Sequence, residues 1–560
     1  MEKVRIERNY LVSHKNIYNE ESVAISTLLG SIPQTTALEL ISYTLHKFNI
    51  RKKDDYKFHS NQLLQWVRRI DEDDKDLVFE FIQTHNDLII SAYFKFISRR
   101  SCLNLLQSIL IHSSPGDSML KSEDHTKLFK CLLYFNTLEN TAQSDLFNWN
   151  GSGNIQEFAN QIIPIHFRNI EHVRHKDYKL QFLKVYYFFV FCELHEVYSN
   201  YLTAFLESLG IKSYKSYLWK ILSPYLDLML SEEPLSKMVI AGNKDFLSFY
   251  DNLTINGKIV ESHYDYRQLR QYPLYKIQEN IYLFLDYRLF IDKFYQGFLF
   301  DFAKRVKISY PKLKGEMGMH FSEHILFYTI MEKCFVTYGS IRLNGEELKI
   351  KLKEAEPDYY IREGSAIFLF EFKDIVINAD VKHSGNIETI KTEILGKLEL
   401  SSKKRKKGIS QLISSIMEIE KGVYQTKDLD QFDPMNISIY PILVHTDVTL
   451  EAYGVNHFLK NRFIELSTSS EFIRHKVENL IVLNLDTLIQ LQDHFRNGTL
   501  KLGECINKYN KYIAVNNPET ATFPFDEYIR HLFSEKTNLK IGIPQDFRDI
   551  ISIISNSTTS

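Results

Sequence analysis

Apolar positions recur at helical spacing over most of the first 300 residues. Leu63, Val67 and Ile70 succeed one another at steps of four and three, and Leu38, Ile41 and Leu45 repeat that geometry behind Thr35 or Thr36, either of which can cap a helix. The same period runs through residues 74–98, 102–113, 125–138 and the long stretch 177–209. These segments predict an irregular helical array. No fixed repeat length emerges, so a globular α region is expected over a regular solenoid, which would survive only in degenerate form. The polar run NWNGSGN, residues 148–154, marks a break between two helical lobes. A second polar interruption covers residues 251–273, with Asn256-Gly257 as a turn. Residues 281–306 then read as a strongly apolar helical segment that should dock the helical region onto the C-terminal half of the chain.

After Lys314 the period shortens. A helix carrying Phe321, Glu323 and Ile325 precedes a strand over residues 335–343. An Asn344-Gly345 turn comes next, and Leu348, Ile350 and Leu352 alternate with Lys349, Lys351 and Lys353, which predicts a hairpin with one lysine-bearing face. Beyond it lie Pro357-Asp358, a polar segment at 362–365 whose Gly364 suits a tight turn, and the apolar strand 366–373. In that strand Glu371 and Lys373 project from one face, Phe370 and Phe372 from the other. With the turn centred on Glu363 and Gly364, Asp358 lies opposite Leu369, on the face of Glu371 and one diagonal step from it; a one-residue slip would turn it away. Residues 374–402 read as a polar segment. The basic run Lys403-Lys404-Arg405-Lys406-Lys407 leads into a helix with an apolar stripe of Ile409, Leu412, Ile413 and Ile416, while Gln411 and Ser415 share a polar flank. A strand at 437–444, another at 480–485, and a helix capped by Asp486 complete the region.

Pro357-Asp358 followed by Glu371-Phe372-Lys373 inside an apolar strand resembles the signature of the PD-(D/E)xK nuclease superfamily. The order of elements over about residues 315–495 is similar to the αβββαβ core, with its mixed central sheet, of restriction-endonuclease-like nucleases. Uncharacterised bacterial nucleases of phage defence or restriction often join a helical region to such a core. The resemblance implies an α/β restriction-endonuclease-like domain at residues 301–510. Before it stands a large, mainly α-helical recognition or regulatory region at 1–300, and after it a helical extension at 511–560. It implies a Mg²⁺-dependent nuclease, with Mn²⁺ as a substitute, hydrolysing phosphodiester bonds of DNA as a defence or restriction effector. On this resemblance Asp358, Glu371 and the Phe372 carbonyl are metal ligands, Glu323 a further carboxylate from the preceding helix, and Gln411 a member of the catalytic group. Lys373 would lie by the attacking water and scissile phosphate, where it either offsets developing charge or, with a lowered pKa, deprotonates the water.

Composition narrows this picture at a few points. The 560 residues exceed one ordinary core and suggest two to four domains, and 44% hydrophobic with 25% charged residues excludes a largely disordered chain. A net charge of -2 supplies no global basic field, so contact with nucleic acid must be local. The run from Lys403 to Lys407 is the candidate phosphate grip, and is equally a solvated loop or a localisation-like cluster. The five cysteines are odd in number and widely spaced, which indicates neither disulfides nor a thiolate zinc site. His320 and His324 lack the glutamate of HExxH, and His445 sits in an apolar strand; structural histidines are expected. With no signal core and no apolar run near 20 residues, a cytoplasmic protein that does not bind membranes is expected, alone, as a homo-oligomer, or with a defence-system partner protein. The alternative class is a catalytically silent nuclease fold that binds nucleic acid or serves as a scaffold. No helix-turn-helix or zinc finger is legible in residues 1–300 to read a DNA sequence.

Overall fold

The computed structural model describes residues 10–558 apart from 21, 51–55, 92–93, 148, 150, 152, 175, 231–235, 241–243, 337–340, 353–355, 401–402, 404, 426–428, 434–435, 469–475 and 538. The chain is a mixed α/β protein: a large helical N-terminal region precedes a mixed six-stranded sheet that is itself enclosed by helices. Among the described residues no helix is long and apolar enough to cross a membrane.

The N-terminal helices Gln34–Ile50, Tyr56–Val67, Arg99–His112 and Ser122–Leu146 bury their apolar stripes in one core, with Leu38, Ile41, Leu45, Leu63, Val67 and Ile70 all inside it. The first of these helices begins at Gln34, ahead of the expected caps, because the Gln34 and Thr35 amides donate to the Ser114 and Gly116 carbonyls and need no side-chain cap. Residues 74–98 do not stay helical. The helix Glu72–Thr84 gives way to a short turn of helix and to the strand Phe94–Lys95, parallel to Tyr10–Leu11. The stretch 177–209 divides at His195, whose Nδ1 accepts from the Val197 amide and caps the second helix. Residues 281–306 depart further from expectation. Ile281–Phe284 is a strand, antiparallel to Leu274–Gln278 across a turn in which Asn280 is left-handed (φ 56°). Helix resumes only after Asp286, which caps Tyr287–Ile291. The docking role holds: Phe298 and Phe302 pack against Phe188 and, through Phe321, share a core with Phe370 and Phe372 of the sheet.

The large sheet contains β1 (Ile341–Asn344), β2 (Tyr359–Glu363), β3 (Ala366–Lys373), β4 (Ser438–His445), β5 (Lys476–Val477) and β6 (Ile481–Asn484). β1, β2 and β3 are antiparallel neighbours; β4 lies parallel to β3, and β5 and β6 both pair in parallel with β4. The sheet separates two cores. Phe368, Phe370 and Phe372 join the core of residues 180–335 and the C-terminal helices, while Ile367 and Leu369 pack against Ile390, Ile394, Leu412 and Ile416.

The expected lysine-faced hairpin is absent. The helix Tyr328–Phe335 runs where the strand 335–343 was expected to begin, and β1 is followed by the helix Gly345–Lys351. Asn344 and Glu347 form a reciprocal capping box, Asn344 Oδ1 accepting from the Glu347 amide and Glu347 Oε2 from the Asn344 amide, both at 2.9 Å. Leu348 and Leu352, four apart, are buried, and Ile350 is 87% exposed, so the alternation was a helix face seen at the wrong period. Lys353 lies outside the described residues. The polar segment 374–402 also holds structure: helices Ala379–His383 and Ile387–Leu398 bury Ile390, Ile394 and Leu398 under the sheet. Finally, Asn484 rather than Asp486 caps the helix Leu485–Arg496, accepting from the Asp486 amide.

Candidate functional site

Glu363 pairs with Ala366, which puts the hairpin turn on Gly364-Ser365, one position later than expected, with Gly364 at φ 58°. Tyr359 faces Phe370, so the register continued by one residue sets Asp358 opposite Glu371 itself. The partner moved by two residues, an even step, and the face was preserved. Asp358 is fixed from two sides: its carbonyl accepts from the Gly345 amide at 2.9 Å, and its Oδ2 accepts from the Phe372 amide at 2.7 Å.

Lys373 stands between the two acids, its Nζ 2.6 Å from Glu371 Oε1 and 3.8 Å from Asp358 Oδ2. Glu371 is fully buried, and its second oxygen, Oε2, has no hydrogen-bond partner among the described residues. Burial and the adjacent Asp358 raise the Glu371 pKa well above the usual carboxylate range, and Lys373 offsets this only in part. Burial alone would lower the Lys373 pKa, but Glu371 and Asp358 outweigh it and drive the value upward, so Lys373 is an ammonium here. Of the two roles open to it, charge stabilisation fits this state.

Glu323 joins the group from a different element. It lies on the π-helical segment Gly318–Phe327, anchored across β3 by stacking of Phe327 on Phe372 at 4.8 Å. Its pKa is pushed up to about 7 by burial and by Asp358, against the pull of Lys373 and Lys349. Tyr328, not singled out in the sequence, His324, expected as a structural histidine, and Gly345, expected in a turn, surround it. The Tyr328 hydroxyl donates to Glu323 Oε1 at 3.4 Å, His324 Nε2 lies 3.8 Å from the same oxygen and 3.3 Å from Glu346, and Gly345 makes room, since a Cβ there would meet the Tyr328 hydroxyl at 2.9 Å. Asp374, next to Lys373, accepts from Ser322 Oγ at 2.6 Å and Thr446 Oγ1 at 2.7 Å, tying the π-helix to the ends of β3 and β4. Glycine between a capping Asn and Glu was the one sequence signal available for these residues.

Gln411 is bound elsewhere. Its Oε1 accepts from the Gly408 amide at 2.9 Å, closing the N-terminus of its own helix, and no contact with Glu371 or Lys373 accompanies this among the described residues. Gly408 is required there, at φ 38°, where a Cβ would sit 2.6 Å from the Leu398 carbonyl oxygen. Of the basic run, Lys403, Arg405 and Lys406 are exposed and Lys404 lies outside the described residues. Lys406 donates to Ser414 Oγ and Lys407 to the Gly396 carbonyl. Burial, Lys397 and Lys373 lower the Lys407 pKa, which puts this end of the run within electrostatic reach of the site. His445 is fully buried beside Lys373 in the register, both ring nitrogens lacking a hydrogen-bond partner, and burial lowers its pKa to about 4. His320 is exposed, its ring centroid 6.1 Å from that of His195.

Among the described residues no group of three or more His, Cys, Asp or Glu forms a ready-made metal cage. Mg²⁺ does not require one, being held commonly by one or two carboxylates together with water and substrate phosphate. The buried, orphaned Glu371 Oε2 opposite Asp358, with the Glu371 charge disfavoured by burial and by Asp358, fits such an ion. Comparison of the chain with protein-family models, with curated proteins and with solved structures gives no match.

Proposed function

We propose that the protein is a metal-dependent nuclease with a restriction-endonuclease-like core, hydrolysing phosphodiester bonds of DNA. The observation that carries this reading is the convergence of Asp358, Glu371 and Lys373 at one strand end, with a buried glutamate oxygen left unpaired toward its neighbouring acid. Burying two acids on one lysine is expensive for a fold, and such sites persist where chemistry uses them. Apart from the helix Gly345–Lys351 between β1 and β2, the order of helix, β1, β2, β3, helices, β4, helix, β5 and β6 supports the same core.

Asp358 and Glu371 would hold Mg²⁺, with the Phe372 carbonyl and Glu323 beside them. When bound, the ion supplies a water of lowered pKa and a counter-charge for the phosphorane. Lys373, kept protonated, places a positive charge next to both carboxylates and stabilises the negative charge that builds on the phosphate oxygens. Glu323, whose pKa lies near neutrality, can take or return a proton at the edge of the site. Lys407, with Lys403, Arg405 and Lys406 preceding it, would hold backbone phosphates without reading sequence. The purified chain should cleave plasmid DNA with Mg²⁺ or Mn²⁺, and Asp358→Ala and Lys373→Ala should each lower the rate by about 10²–10³ or more. Undiminished cleavage by both variants would dismiss the site. Binding of DNA without cleavage of DNA or RNA under either ion would identify the silent fold instead.

A further inference from the structure

A cleft of about 570 Å³ lies between the helical region and the carboxyl ends of β3, β4 and β6. Asp374, Thr446 and Asp486 line its floor, and Tyr178, Tyr225 and Tyr295 its walls. None of Glu323, Asp358, Glu371 and Lys373 borders it. Tyr225 and Tyr295 belong to the core that Phe370 and Phe372 join, whereas Glu371 and Lys373 keep to the alternation of Ile367 and Leu369 on the other face. The crevice beyond the carboxyl ends of parallel strands is where open α/β sheets bind ligands, and the volume is within the roughly 300–1,000 Å³ of small-molecule pockets.

The cleft shares Arg174 and Lys176 with a narrow recess of about 10 Å³, which Arg99, Arg270 and Arg288 also line. Five cations there face two carboxylates, Glu171 and Asp292. Four of the five have acidic partners: Arg99 with Asp286 at 2.6 Å, Arg174 with Glu527 at 2.6 Å, Lys176 with Asp292 at 2.5 Å, and Arg270 with Glu171 at 2.7 Å. Arg288 has none within ion-pair distance among the described residues. It donates to the His172 carbonyl at 3.1 Å, and its Nε is shut off from solvent without a hydrogen-bond partner. A half-buried guanidinium with no acid in ion-pair contact, opposed by burial and Arg99 and offset only in part by Asp286 and Tyr287, is costly, and an anion is the group that would relieve it. The same surplus acts on His172, which burial and the charges of Arg99, Arg100 and Arg270 hold well below the usual histidine range.

We propose that the cleft binds a small phosphorylated ligand, with a terminal phosphate oxygen entering the recess at Arg288 and Lys176 and the rest of the ligand filling the cleft, for which ADP serves as the probe. The recess has room for one water-sized atom, which a phosphate oxygen matches. Guanidinium forks suit phosphate geometry. The site is independent of the nuclease centre and stands without it. Calorimetric titration of the full chain with ADP in EDTA should give micromolar binding that weakens with salt and is displaced by inorganic phosphate at higher concentration. Arg288→Gln and Lys176→Gln should each weaken it at least tenfold, and Asp358→Ala should leave it within twofold. Circular dichroism checks each variant's fold, and Lys176 carries the test if Arg288→Gln does not fold. Neither ADP nor ATP binding at millimolar concentration, or binding undiminished in the folded variants, would overturn the proposal. So would loss in Asp358→Ala, which would place the nucleotide at the nuclease centre.

Discussion

Glu371 and Glu171 are both acids with a lysine 2.6 Å away, Lys373 for one and Lys382 for the other, yet their surroundings drive them to opposite states. Burial raises the pKa of each. At Glu371 the next neighbour is Asp358, which adds to the rise, and one lysine cannot cancel two acids. At Glu171 three cations, Lys382, Arg270 and Lys176, outweigh burial and hold the carboxyl well below its ordinary range. The length of an ion pair therefore says little about what it does; the sum of charges around it decides. In one cluster two acids face a single lysine, and in the other cations outnumber the acid they surround.

This contrast should be widest under neutralising substitutions. Glu171→Gln, by taking one of two carboxylates from both Arg270, which keeps Asp292, and Lys382, which keeps Asp447, should cost about 3 kcal/mol in urea denaturation, whereas Glu371→Gln in EDTA should be neutral or stabilising. Equal losses at both positions would break the comparison. Mg²⁺ at about 100 times its Kd should stabilise the wild-type chain by about 2.7 kcal/mol, and Asp358→Ala should abolish that gain. The pH response should be smaller and of opposite sign at the two clusters. Glu323, with an ordinary value of 4.5 and a folded value of about 7, binds more protons in the folded state between those limits. Stability of the metal-free chain should therefore fall as pH rises from 4.5 to about 7, by an amount of order 2 kcal/mol, and Glu323→Gln should remove that loss. Glu171, with a lowered folded value, contributes stability above pH 4.5 that is lost as pH falls below it. Asn344→Ala, which opens the capping box beside the site, should cost about 1 kcal/mol by thermal denaturation.

Glu371 and Lys373 were legible because a strand's period of two is strict and β3 is apolar on both sides of them. Asp358 was legible only up to the turn: its face survived because the turn moved by one position and the partner by two. The helix Gly345–Lys351 was hidden by lysines at alternate positions, although Asn344 and Glu347 carried the capping signal that outranks them. Ile281–Phe284 was too short an apolar run for its period to separate strand from helix, and Asn280 was the informative residue. The recess could not be read at all. Arg99, Arg174, Arg270 and Arg288 come from four separate helices or their ends, and their meeting is a product of tertiary packing.

The π-helical stretch that presents Glu323 also limits how the gene for this protein can change. A π segment is wider than the α-helix flanking it, and losing one residue between Gly318 and Phe327 lets it close into α geometry, turning whatever precedes the deletion by about 100° about the axis. Single-codon deletions on either side of Glu323 should thus be unequal in effect: one before it spares the carboxylate's aim relative to Phe327, and one between Glu323 and Phe327 swings it off Asp358.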